Sequence, residues 1–224
     1  MNTPVIAVDG PNAAGKGTIC KRIAEDLGFH LLDSGALYRL VALAATNAEV
    51  SLDDVPAVTA MTHQMAIEFR PTPEAVKVYL EGADVSRDIR TETVGNRASM
   101  VAALPPVRAA LLERQRGFRR PPGLVADGRD MGTVVFPDAA VKIFLTASAE
   151  VRAQRRYNQL RDQGISVNLA ALSAEIEERD RRDRERAASP LLPAEDAIEL
   201  DTSALDIDGV FEVIRARIMD RGIH

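Results

Sequence analysis

The stretch GPNAAGKGT, at residues 10–18, has the residue types and spacing of a phosphate-binding loop. It follows the apolar run VIAV at 5–8 and precedes an amphipathic helical pattern. Glycine permits the backbone conformations that turn successive N–H groups inward, and the helix that follows adds its positive end. The pattern therefore predicts nucleotide phosphates at this loop, with Lys16 reaching the terminal ones. The predicted binding residues are Gly10, Pro11, Asn12, Ala13, Ala14, Gly15, Lys16, Gly17 and Thr18.

Two positions in this loop depart from the usual pattern. Gly17 stands where many such loops carry the Ser or Thr that ligates magnesium, and Thr18 comes one residue later. Direct ligation of the metal by Thr18 is therefore left open. Ala13 replaces a glycine expected in the middle of the loop. Neither change removes the backbone N–H groups that bind phosphate.

A second group of polar residues, DGRD at 127–130, follows the apolar run GLVAD. Gly128 is predicted to allow close approach of a ligand. Arg129 offers two parallel donors to a phosphate, and Asp130 can accept from an amino or hydroxyl group. The alternative is a surface turn with a local ion pair.

A third group lies on a predicted helix at residues 169–186. Leu169, Leu172 and Ile176 form an apolar stripe at spacings of three and four, which predicts that this face points to the core. The same face continues through Arg179, Asp183 and Arg186. Unpaired buried charge is costly, so these charges are predicted to enter a cleft. A solvated helix end with i,i+4 ion pairs is the alternative.

The elements that position these groups read as an α/β fold. Short apolar runs alternate with helical patterns, which is typical of a parallel sheet covered by helices on both faces. The carboxyl ends of such strands form one rim, which predicts that Asp9, Asp33 and Asp127 lie together there. The runs are at 5–8, 30–33, 123–127, 141–145 and 197–201.

One region breaks the alternation. Residues 66–70 and 76–82 show period-two patterns around the proline turn 71–73, which predicts a small antiparallel insert at about 63–95. Ser51, with Asp54 three residues later, indicates a capped helix start. Helices are predicted at 91–103 and 107–118, separated by Pro105 and Pro106.

Composition narrows the class of protein. The chain has 224 residues and a formal net charge of −5, which argues against a non-specific nucleic-acid binder. Its single cysteine, Cys20, predicts a cytoplasmic protein without an intrachain disulfide. No stretch approaches the ~18 apolar residues of a membrane span, so no membrane partner is expected. Of the 28 basic residues 24 are arginines, which reflects either genome composition or phosphate binding.

Four further segments carry a resemblance to a known family. LLDSGALYR (31–39), RTETVGNRAS (90–99), GLVADGRDMGTVVFP (123–137) and ERDRRDRERA (178–187) follow the loop in order. Together they resemble bacterial cytidylate kinases, from Val5 to about Ser203. The resemblance implies a P-loop kinase fold with a five-stranded parallel sheet covered by helices. It also implies one domain over 1–224, with the insert in its monophosphate-binding region and a helical lid at about 150–165.

The resemblance also implies an activity and the residues that carry it. A cytidylate kinase transfers the γ-phosphoryl of ATP to CMP or dCMP with Mg²⁺, and we expect a monomer. Lys16, Arg129 and Arg186 are then the predicted catalytic residues. The resemblance implies that Arg39, Arg129 and Arg186 bind the acceptor phosphate, with Ser34 nearby. It implies that Ser99, Arg108 and Asp130 bind the cytosine, and that Arg179 and Asp183 bind the ribose. It places magnesium at Asp127, beside Thr18.

Some alternatives remain at this point. Arg155 and Arg156 are predicted ATP ligands on the lid, although an exposed basic helix explains them equally well. A kinase for a small hydroxylated metabolite, such as shikimate or gluconate, could use the same loop. The antiparallel insert and the candidates Ser99 and Arg108 argue against it, because a small acceptor needs fewer surrounding residues. A P-loop switch or binding module is the other alternative. The Asn-Lys-x-Asp stretch of guanine-binding switches is absent from the sequence.

Overall fold

The structure is a computed structural model that describes residues 3–72, 76–162 and 164–223. Pro73 of the predicted turn and Gln163 of the predicted lid lie outside the described residues. The strands are β1 (Val5–Asp9), β2 (His30–Asp33), β3 (Ile67–Pro71), β4 (Val76–Leu80), β5 (Ala83–Asp84), β6 (Leu124–Gly128), β7 (Val141–Thr146) and β8 (Ile198–Asp201). The helices are α1 (Lys16–Leu27), α2 (Ser34–Asn47), α3 (Val55–Gln64), α4 (Glu92–Val101), α5 (Pro105–Arg116), α6 (Ala149–Asp162), α7 (Leu169–Glu185) and α8 (Ile207–Met219).

The chain forms two compact units, Met1–Asp33 with Gln115–His224 and Ser34–Arg114. The first unit holds a five-stranded sheet in the order β2-β6-β1-β7-β8. All four strand pairs in it are parallel, which confirms the predicted sheet. Asp33 is in register with Asp127, and Asp9 with Gly128, so the carboxyl ends meet at one edge as predicted.

Apolar burial explains why this sheet forms. The side chains of β1 are fully buried from Val5 to Val8, as expected of a central parallel strand covered on both faces. Helices α1 and α8 pack onto one cluster through Ile19, Ile23, Phe211 and Ile214. A separate cluster joins α6 to α7 and is built from Ala153, Leu160, Leu172 and Ile176.

The second unit contains α2 to α4, most of α5 and the antiparallel sheet β3-β4-β5. The two predicted strands are confirmed, and the short β5 is an addition that the period-two pattern missed. Two helices form here as predicted, but Pro105 and Pro106 belong to the first turn of α5 rather than to the break before it, and proline removes no intrahelical bond there. The cap of α3 is Asp54, which accepts from Ala57 N–H, rather than Ser51.

The segment after β6 contains a π-helical turn at Met131–Val135, which the sequence patterns did not predict. Such turns are rare and occur often at functional sites. Among the described residues, no helix is both long and apolar enough to cross a membrane.

Candidate active site

The loop at residues 10–18 has the geometry of a phosphate cradle. Gly15, at φ +91°, caps α1, whose first residue is Lys16. Gly10 has φ +148°, and a Cβ there would lie 2.1 Å from the carbonyl oxygen of Leu145. Both glycines are therefore required by the backbone, which leaves the N–H groups at the start of α1 for an anion.

Ala13 occupies a left-handed backbone conformation, with φ +59°. This explains why a glycine is expected at this position, since the conformation costs an L-residue about 1 kcal/mol or more. Asn12, just before it, offers its carbonyl oxygen to Arg152 at 3.2 Å. The loop therefore holds one strained residue beside an anchored carbonyl.

Ala13→Gly tests this strain. The variant removes the left-handed penalty but adds about 0.4–1 kcal/mol of unfolded-chain entropy, so its free energy of unfolding is expected to equal or slightly exceed that of the wild type. Ala14→Gly is the matched control, because Ala14 is buried and has no positive φ. It is expected to lose about 1 kcal/mol in urea unfolding. Equal losses in both variants would contradict the assignment.

Lys16 is buried, and its ammonium could bind an anionic ligand. Its ammonium donates to the carbonyl oxygen of Pro11 at 2.7 Å. Its pKa is lowered to about 8, mainly by burial and also by the positive charges of Arg129 and Arg179, against the raising effect of Asp127. A bound phosphate would favour the charged form. The same interactions show that Lys16, Arg129, Arg179 and Asp127 share one electrostatic environment.

Asp9 binds the backbone of the segment that follows β6. Its two carboxylate oxygens accept from Met131 N–H and Gly132 N–H, each at 2.8 Å, at the start of the π-turn. The side chain is buried, and this burial raises its pKa to about 7 against the lowering effect of the two N–H groups. Asp9 was predicted at the rim, but sequence alone gave no sign that it holds the segment after β6.

The raised pKa of Asp9 predicts a pH dependence of stability. Between about pH 4 and 7 the folded state binds more protons than the unfolded one, so the free energy of unfolding falls as the pH rises. This part, on the order of a few kcal/mol, is absent from Asp9→Asn. In urea unfolding across this range, the free energy of unfolding of the wild type should therefore fall relative to that of Asp9→Asn as the pH rises. If the free energy of unfolding changed with pH equally in both proteins, the raised pKa of Asp9 would be contradicted.

The predicted charged residues of α7 meet Arg129 at the end of β6. Arg129 Nε donates to Asp183 Oδ2 at 3.0 Å. Burial of Asp183 raises its pKa, but Arg129, Arg179 and Arg186 outweigh this and hold the pKa below its usual value. Arg186 Nε donates to the carbonyl oxygen of Ser189 at 2.7 Å. Three predicted arginines are thus brought together around the Asp183 carboxylate.

Two details of these predictions are corrected by the structure. Gly128 does not leave room for a ligand, since a Cβ there would lie 2.6 Å from Cγ of Met131. Leu169 does not face the core and is 39% exposed, whereas Leu172 and Ile176 are buried. Asp130 is buried at the same rim.

In the second unit, Arg39 of α2 lies across α4. Its Nη1 donates to the carbonyl oxygens of Ile89 and Thr91 at 2.9 and 3.3 Å. Gly95 makes this possible, because a Cβ there would lie 3.0 Å from Arg39 Nη1. Sequence reasoning missed Gly95, although a glycine inside a helical pattern signals close packing.

Three further predicted substrate-binding residues of this unit are also buried. Ser34 opens α2, and Ser99 lies on α4. The Arg108 guanidinium lies 5.5 Å from the centre of the Tyr38 ring, and its Nη1 donates to the carbonyl oxygen of Ala102 at 3.1 Å. The roles of Ser99 and Arg108 toward a base, and of Ser34 near the acceptor phosphate, stay predictions.

The two predicted lid arginines differ in their surroundings. Arg155 donates to Thr202 Oγ1 at 3.0 Å and to the Thr202 carbonyl oxygen at 2.5 Å. Thr202 Oγ1 in turn donates to the carbonyl oxygen of Thr146 at 3.0 Å. Arg156 Nη1 donates to Gln159 at 2.7 Å on the exposed side of α6. Arg155 is therefore anchored beside the loop after β8, whereas Arg156 lies on the helix surface.

The predicted metal ligands are a sparse set. A Cβ built on Gly17 would lie 3.6 Å from Asp127 Oδ2, so position 17 faces this carboxylate, whereas Thr18 is exposed. Within the described ranges, no group of three or more His, Cys, Asp or Glu side chains could hold a metal. This donor set fits magnesium held mainly by nucleotide phosphates, with one carboxylate nearby, as is usual for this ion.

Comparison with known proteins decides the family. A sequence model described as cytidylate kinase matches residues 6–220. The chain belongs to the cytidylate kinase family. It is 59% identical over 213 residues to the cytidylate kinase of Aeromonas salmonicida, covering 95% of this chain and 93% of the relative. It is also 59% identical over 214 residues to that of Shewanella frigidimarina, with the same coverage.

Solved structures also resemble the chain. A gluconokinase from Sinorhizobium meliloti aligns over 99% of this chain and 98% of its own, with 16% identity and a TM-score of 0.45. A likeness of that size says nothing about the substrate. The cytidylate kinase family therefore rests on the sequence relatives.

Proposed function

We infer that this member of the cytidylate kinase family transfers the γ-phosphoryl of ATP to CMP or dCMP, giving ADP and CDP or dCDP. The observation that carries this is the position of Lys16, which opens α1 directly after the phosphate-binding loop, at the same edge of the sheet as Arg129 and its partner Asp183. Lys16 would then hold the donor phosphates and Arg129 the acceptor phosphate at one edge of the sheet. The resemblance of the rim segments to the family supports the cytidine nucleotide.

The reaction requires charge neutralisation and alignment more than proton transfer. The attacking oxygen of a nucleotide phosphate is already anionic, so no strong general base is required. The two polyanions repel each other, and buried cations offset this repulsion in a site closed to water. We assign the donor phosphates to Lys16 and the loop N–H groups, and the acceptor phosphate to Arg129, Arg186 and Arg39. Magnesium, near Asp127, would neutralise the donor phosphates when bound.

The test is phosphoryl transfer to a panel of acceptors, CMP, dCMP, UMP, AMP and shikimate, followed by ADP release. We expect the highest kcat/KM with CMP or dCMP. Preference for shikimate would favour the small-metabolite kinase. ADP release that is independent of any acceptor would favour a P-loop switch or ATPase.

Gly95→Ala tests the proposed role of Arg39. The new methyl group would push the Arg39 guanidinium by a few tenths of an ångström, so KM for CMP should rise by about two- to tenfold while KM for ATP stays unchanged. Alanine also favours a helix by about 1 kcal/mol, so the variant should melt no lower than the wild type. Thr93→Ala, exposed on the same helix, is the matched control. An unchanged KM for CMP would contradict the assignment of Arg39 to the acceptor site.

Location and assembly belong to the same proposal. A cytoplasmic protein is consistent with a buried, unpaired Cys20. A monomer is the simplest state, and sedimentation of the purified chain tests it.

A further inference from the structure

Helix α7 carries two buried carboxylates one turn apart. Asp180 is 3% exposed and Asp183 is 4% exposed, and their spacing of three places them on the same face. Asp183 holds Arg129, from the end of β6. Asp180 holds Arg152, from α6. Neither the sequence patterns nor the family resemblance assigned a role to Asp180 or to Arg152.

The Arg152 side chain is buried and joins three elements. Its Nη2 donates to Asp180 Oδ2 at 2.5 Å, and its Nε donates to the carbonyl oxygen of Ala147 at 3.0 Å, just after β7. Its Nη1 donates to the carbonyl oxygen of Asn12, in the phosphate-binding loop. One guanidinium thus connects this loop to the helix that carries Arg179 and Asp183.

The energetics of this pair argue against a purely structural role. Asp180 Oδ1 is buried without a hydrogen-bond partner among the described residues, which costs free energy. A buried ion pair gives little net stability compared with apolar side chains of similar size. Leu172 and Ile176 already attach α7 to α6 through apolar contacts. What the ion pair adds is a fixed position of α7 relative to the loop.

We propose that the Arg152–Asp180 pair is a positioning pair that makes the affinity for the acceptor nucleotide depend on the nucleotide in the phosphate-binding loop. Donor phosphates fix the loop backbone, including the Asn12 carbonyl. Because Arg152 donates to both this carbonyl and Asp180, fixing the carbonyl also fixes Asp180. Asp183 lies one turn further along the same helix. The coupling is reciprocal, so the acceptor also changes the affinity for the donor. This inference rests on the proposed function.

The experiment measures CMP binding by calorimetry with and without saturating magnesium and a non-hydrolysable ATP analogue. For the wild type we expect the analogue to change the Kd of CMP by about 5- to 50-fold. In Asp180→Asn this factor should fall to within about twofold of one, with the Kd of the analogue alone changed less than about threefold. Glu178→Gln is the matched control, since Glu178 is an exposed partner of Arg181 on the same helix and should keep the wild-type factor.

The outcomes separate this proposal from the proposed function. A wild-type coupling factor of one, or an unchanged factor in Asp180→Asn, would overturn the proposal although CMP still binds. Absence of CMP binding to the wild type would instead overturn the proposed function, and this inference with it. If Asp180→Asn does not fold, the double variant Arg152→Met, Asp180→Leu removes both charges and should fold but lose the coupling. A double variant that also fails to fold would overturn the positioning role.

Discussion

Arg129→Ala is expected to lower kcat/KM for CMP by about 10³-fold, because it removes a buried donor from the proposed acceptor-phosphate site. The Arg129 side chain is only 17% exposed and is held by Asp183, so its position is set before substrate binds. Such preorganised charge is worth more than the same charge in water. Most of the loss should appear in kcat, with a smaller rise in KM for CMP and little change in KM for ATP.

The control for Arg129→Ala is Arg181→Ala. Arg181 is an exposed arginine of α7 that pairs with Glu178 and Glu185, so its loss should change kcat/KM less than about twofold. Thermal melting must accompany both variants, since Arg129→Ala leaves Asp183 with fewer positive neighbours. A folded Arg129→Ala enzyme with near wild-type kcat/KM would exclude Arg129 from the reaction.

Lys16→Met should lower kcat by about 10²- to 10³-fold, because the side chain keeps roughly its length but loses the charge that we propose neutralises the donor phosphates. Removing a buried ammonium that donates to the Pro11 carbonyl should leave the fold intact or slightly more stable. Steady-state kinetics with CMP and ATP, together with thermal melting, measure both effects.

The control for Lys16→Met lies five residues along α1. Lys21 is exposed and pairs weakly with Glu25, so Lys21→Met should leave kcat unchanged within about twofold. Equal losses in the two variants would show that general charge on α1, rather than the ammonium of Lys16, supports the reaction.

The sequence predicted the sheet well because buried parallel strands are short apolar runs that end in polar residues. β1, β2, β6, β7 and β8 all lie where these runs were found. The phosphate-binding loop was predictable for a similar reason, since its glycines are required by local backbone geometry. Ala13 is the exception, and its positive φ shows why glycine is expected there.

Contacts between distant segments were beyond sequence reasoning. The hydrogen bonds from Met131 and Gly132 to Asp9 join residues more than 120 positions apart, and no local pattern signals them. The Arg152–Asp180 pair is hidden for the same reason, because an arginine-rich helix pattern does not say which arginine is buried. Gly128 was placed correctly, but its reason is packing against Met131 rather than room for a ligand.

The central claim is that the γ-phosphoryl of ATP passes to CMP rather than to water. The most direct measurement uses ATP with ¹⁸O in the non-bridging oxygens of its γ-phosphate, and follows CDP and inorganic phosphate by mass spectrometry. The account predicts that CDP carries the full label and that little labelled inorganic phosphate forms. Label that appears only in inorganic phosphate, with CMP unchanged, would contradict it.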